Sequence, residues 1–74
     1  MLIPNKLITY NESVISKIPI FLEIIEKGPI GVKELYHQVA TKVTGVSEFM
    51  DVLDCLYALN KIEFDEKTGV ILYV

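Results

Sequence analysis

The stretch that decides the fold is VSEFMDVLDCLYALNKIEFDEKTGVILYV, residues 46–74. Its first half has helical spacing. Phe49, Leu53, Leu56 and Asn60 fall on one side, flanked by Val46, Val52 and Leu59, and Ser47 is placed to cap the start. Its second half has the period of a strand. Ile62 and Phe64 point one way, Glu63 and Asp65 the other, and a turn through Glu66, Lys67, Thr68 and Gly69 leads to an apolar run ending at Val74. Gly69 supplies the positive φ that a short hairpin loop needs. In the closing run Val70, Leu72 and Val74 line one face and Ile71 and Tyr73 the other. Both faces are apolar, so both should be covered.

Upstream, Val32, Leu35, Tyr36, Val39 and Val43 follow the i, i+3, i+4, i+7, i+11 pattern of a second helix, expected over 31–43. Thr44 and Gly45 form the short turn into the third helix, expected over 47–59. Before them, Val14, Ile18, Phe21, Leu22 and Ile25 predict a first helix over 12–27. Asn11 or Ser13 caps it, and Gly28-Pro29 stops it. Pro19 lies inside, which predicts a kink or a later start at Ser16. Ile20 and Ile24 form a second apolar strip that a lone small domain does not need. Residues 1–10 read as an apolar arm or short strand, broken by Pro4 and Asn5, lying along the domain's own sheet or on a partner. Three helices followed by a hairpin over 61–74 make an α+β winged helix-turn-helix, one domain over the 74 residues.

Composition narrows the function. The chain is 51% hydrophobic with a mean hydropathy of +0.42. A chain this short buries only about 60% of its unfolded surface, so apolar area remains outside and marks an interface. Formal charge is −3, and all seven basic residues are lysines. The exposed side of the third helix is expected to present Glu48, Asp51 and Asp54, an acidic face that repels phosphates where a DNA reader carries arginine and lysine. Lys67 at the hairpin tip is cancelled by Asp65 and Glu66. A lysine surface elsewhere, built from Lys17, Lys27, Lys33 and Lys42, is the alternative route to DNA and makes a transcription regulator the second reading.

Catalysis finds no support. His37 reads as a surface histidine, and Cys55 as a partly buried inert thiol with no base near it in sequence. Asp51 and Asp54, one turn apart, read as solvated carboxylates rather than metal ligands. No metal or cofactor is expected. A single cysteine excludes an internal disulfide. A cytoplasmic setting is expected, with no leader and no membrane span. What remains is protein binding, with Leu2, Ile3, Ile20, Ile24, Met50, Tyr57, Ile71 and Tyr73 as the candidate interface and a homodimer as one outcome.

The opening Leu2-Ile3-Pro4-Asn5-Lys6-Leu7-Ile8 with Glu12-Ser13 resembles the small middle-component proteins of ABC-three-component systems. So does the pattern of Phe49, Leu53, Leu56-Tyr57-Ala58-Leu59 and Ile62-Glu63 leading to the hairpin. The resemblance implies a winged-helix adaptor without catalytic motif. It also implies association with an SMC- or RecN-like ABC ATPase in bacterial defence against phage or plasmids.

Overall fold

The computed structural model describes residues 3–74, with side chains for 8–74. The order is α1 (Ile3–Ile25), β1 (Ile30–Gly31), α2 (Val32–Val39), α3 (Val46–Ala58), β2 (Ile62–Asp65) and β3 (Val70–Tyr73). The class is α+β: three helices and one antiparallel sheet of order β1-β3-β2.

The first correction concerns the N-terminus. Residues 3–10, expected as an arm or strand, are the opening turns of a helix that runs unbroken for 23 residues. Pro4 does not break it, because proline in a first turn removes an N–H that has no helical partner there anyway. Pro19 does not end the helix either. It is exposed, so the Ile15 carbonyl it deprives of a donor lies on the solvent side. No helix among the described residues is long and apolar enough to cross a membrane.

Val14, Phe21 and Ile25 bury the inner stripe of α1, with Ile18 and Leu22 partly buried beside them. Leu35 and Val39 from α2, Phe49, Val52, Leu53 and Leu56 from α3, and Ile30, Ile62 and Ile71 from the sheet complete the core together with Val43. Phe49 is the hinge of this packing. Its ring lies 5.6 Å from that of Phe21 on α1 and meets the Tyr36 ring of α2 edge-on at 5.0 Å. Such contacts add about 0.5–1.5 kcal/mol each beyond area burial. Ile20 and Ile24 are not a free strip. Both are half-buried against this same core.

The final run is apolar on both faces partly because β3 is the central strand. It pairs with β2 through Ile62↔Tyr73, Glu63↔Leu72, Phe64↔Ile71 and Asp65↔Val70, and with β1 through Ile30↔Ile71 and Gly31↔Val70. Cross-strand partners share a face, so Ile30, Ile71 and Ile62 lie together on the inner side, where all three are buried. On the other face Val70 and Leu72 are half-buried and Val74 is exposed. α1 packs against β3 as a helix, not as an added strand.

Two of the positive-φ positions among the described residues close an element. Gly69 has φ 72° at the hairpin, where its N–H donates to the Asp65 carbonyl at 2.7 Å. Asn60 has φ 59° just beyond α3. There the Lys61 N–H donates to the Leu56 carbonyl and the Asn60 N–H to that of Tyr57, the paired bonds of a Schellman termination. Asn60 therefore ends the helix instead of extending its apolar side. Asn60→Gly is expected to leave stability unchanged or slightly raised. Asn60→Val, β-branched at positive φ, is expected to lose about 1–2 kcal/mol in urea unfolding monitored by circular dichroism.

Candidate functional site

The face that matters is set by how α3 is rolled about its axis, and one buried carboxylate fixes that roll. Glu48 is 1% exposed. Its Oε2 accepts from the Ser13 hydroxyl at 2.7 Å. Its Oε1 accepts from the Thr44 N–H at 2.9 Å and from Lys17 Nζ at 3.4 Å. Lys17 also donates to the Ser13 Oγ at 2.9 Å. The helix starts one residue earlier than expected, at Val46, with Gly45 as the cap and no side chain capping it. Glu48 thus occupies the third helical position, from which a glutamate reaches back to orphan N–H groups. The expected acidic face of Glu48, Asp51 and Asp54 is accordingly not there. Glu48 points inward to α1. Asp51 accepts a hydrogen bond from the Tyr10 hydroxyl of α1, which pushes the Tyr10 pKa up to about 12. Only Asp54 stays exposed.

The outward side of α3 is instead apolar. Met50, Asp54 and Tyr57 succeed one another at i, i+4 and i+7, with Met50 44% and Tyr57 63% exposed. Opposite them on β2 stands Phe64, 49% exposed although it shares a strand face with buried Ile62. Between helix and hairpin runs a trough of about 280 Å³. Buried Leu53, Ile62 and Ile71 contribute to its lining, as do Met50, Tyr57, Phe64 and Val32; Asp54 is its one charged lining residue. A second hollow, of about 220 Å³, adjoins it through Val32 and Met50 and is lined further by Tyr36, Phe49, Val46, Lys33 and His37.

The expected interface residues separate accordingly. Met50 and Tyr57 stand exposed at the trough. Tyr73 is exposed but does not line it. Ile71 is 2% exposed, a core residue that reaches the trough only as part of its buried lining, because its β1 and β2 partners bring it to the inner face. Ile20 and Ile24 serve internal packing. Leu2 and the Ile3 side chain lie outside what is described. Phe64 and Val32 were missed, since strand and helix periodicity both mark them as core. The signal that finds Phe64 is its place near the turn end of the hairpin, one residue before the last of β2.

Among other candidates, His37 is exposed and Cys55 is a half-buried free thiol packed against the core. Among the described residues no group of three or more His, Cys, Asp or Glu gathers where a metal would bind.

The molecule is thus a small α+β domain that presents an apolar trough on its third helix and hairpin. The chain belongs to the family described as ABC-three component (ABC-3C) system Middle Component 7, whose model matches residues 3–71. No curated protein and no solved structure matches it. Membership of a multi-component system implies protein partners.

The Glu48 carboxyl is held below its usual 4.5, first by the Ser13 hydroxyl and the Thr44 N–H and then by Lys17, against the opposing effect of burial. A carboxyl depressed in the folded state contributes stability above its unfolded pKa and loses it as pH falls through the folded value. Stability is therefore expected to drop below about pH 4.5. Glu48→Gln is expected to cost roughly 1.5–3 kcal/mol at pH 7, a fall in melting temperature of roughly 8–16 °C, with a flatter acid limb than the parent. An acid limb unchanged by the substitution would show that another group sets it.

Proposed function

We propose that this chain is a non-catalytic adaptor of winged-helix type. It docks through the α3–hairpin trough onto a protein partner, an SMC- or RecN-like ABC ATPase of the same bacterial defence system. The element order helix, short strand, two helices and hairpin supports the winged-helix reading. One observation carries the functional reading. The side of α3 that a winged helix would turn toward a DNA groove exposes Met50, Asp54 and Tyr57 beside Phe64, and among the described residues no cation lines the trough between them. Base and phosphate contact needs donors and positive charge, whereas exposed aromatics and methionine over an apolar floor are the composition of a protein interface.

The lysine route to DNA is weakened as well. Lys17 is engaged with Glu48 inside the domain and is not available to a phosphate. Among the residues whose side chains are described, the other lysines are spread over the turn after α1, α2, the turn before α3, the turn before β2 and the hairpin turn.

Co-purification with the product of the adjacent ATPase gene is the test. The unaltered chain is expected to be retained. Met50→Asp and Tyr57→Asp are each expected to weaken retention at least about tenfold while melting cooperatively, and Ile15→Asp, on the exposed outer side of α1, is expected to leave it intact. The opposite pattern, with the α1 variant lost and the trough variants retained, places the docking face on α1 and sinks this reading. Duplex DNA is expected not to bind even at low salt, where phosphate contacts are strongest.

A further inference from the structure

Resting on the reading of the trough as a protein-docking face, we propose that its occupant is a single amphipathic α-helix of the partner, carrying a basic residue that meets Asp54 at the hairpin end and an acidic residue that meets Lys33 and His37 at the α2 end. Three features lead there. The trough and the adjoining hollow meet at Val32 and Met50, so together they form one continuous, largely apolar depression lined from the hairpin (Phe64) across α3 (Met50) to α2 (Tyr36). That shape takes the successive anchors of a helix at i, i+3 or i+4, and i+7.

Charge then sets the direction. Among the described residues Asp54 is the charged group lining the hairpin end, and Lys33, with His37 beside it, is the charged group lining the α2 end. A helix laid one way round places opposite charges together at both ends; reversed, it places like charges together, which disfavours that orientation.

The remaining secondary-structure alternative is a strand added to the free edge of β2. That edge is four residues long, ends in Asp65 and is followed by Glu66. A short edge ending in charge gives an incoming strand few backbone bonds. It also leaves the hollow beside α2, remote from β2 in sequence and lined by no β2 residue, unfilled.

The test uses the full chain, isotopically labelled for nuclear magnetic resonance. It is titrated with overlapping 20-residue synthetic peptides tiling the protein that co-purifies with it. One tile is expected to shift Met50, Tyr57, Phe64 and Tyr36 together and to gain helical circular dichroism on binding. Asp54→Lys should weaken that tile about tenfold. Replacing the tile's basic residue by glutamate should restore binding to Asp54→Lys and weaken it for the parent. Lys33→Glu should behave in the mirrored sense toward the tile's acidic residue.

A tile that shifts these residues but stays extended, or binds equally to Asp54→Lys, overturns the helix while leaving the trough as the docking face. Shifts confined to α1 overturn the docking face itself. If no tile binds although Met50→Asp abolishes co-purification of the whole partner, the occupant is not one continuous helix, and the proposal fails.

Discussion

Burial of the Glu48 carboxylate is the constraint on which the rest of the structure depends. An ionised group in an interior is costly unless its charge and lone pairs are met. Here three donors from two elements meet them: Ser13 and Lys17 from α1, and the Thr44 N–H from the turn between α2 and α3. None of these donors is substitutable by a small slide. A rotation of α3 by one residue, about 100°, would expose Glu48 and leave the Lys17 ammonium facing apolar surface. The carboxylate therefore selects one roll of α3 among those that hydrophobic packing alone would tolerate. The Tyr10–Asp51 bond, one turn further along, pins the same roll.

Everything on the outer side follows from that choice. With Glu48 and Asp51 turned to α1, the positions left facing outward are Met50, Asp54 and Tyr57. The charge that makes the bare sequence look like an acidic helix face is thus spent internally. The expected argument against DNA, three carboxylates repelling phosphates, does not apply to this surface; the proposed reading rests instead on apolar side chains with few donors.

This division explains what was legible in the sequence. The second and third helices, the hairpin and Gly69 come from strong periodicity and from a residue whose backbone freedom the turn requires. Periodicity, however, records which residues are apolar, not where a polar residue goes. Ser13 and Lys17 stand four apart beside the apolar stripe of α1, and Glu48 precedes Phe49. The match between them exists only once α1 and α3 are packed, across more than thirty residues of chain. The same holds for Ile71, whose burial depends on the two-residue strand β1, too short to show alternation. Reading Pro4 and Asn5 as an interruption failed for a local reason: a proline in a first turn removes an N–H that has no helical partner there.

The trough and the core are one piece of structure. Leu53, Ile62 and Ile71 line the trough and are at the same time buried core residues, so this part of its lining is held at interior packing density and does not have to be ordered by a partner. Its exposed lining residues include Met50, which is flexible and polarisable, and Tyr57 and Phe64, which carry few rotatable bonds for their area. A pre-formed lining with a few adaptable side chains lowers the ordering cost of association. That matters for a chain of this size. Its whole accessible surface is 5248 Å², and one standard contact covers about 800 Å² on each partner. On the proposed docking reading the contact face is largely ordered before a partner arrives, and the Glu48 anchor on the opposite side of α3 helps to hold it.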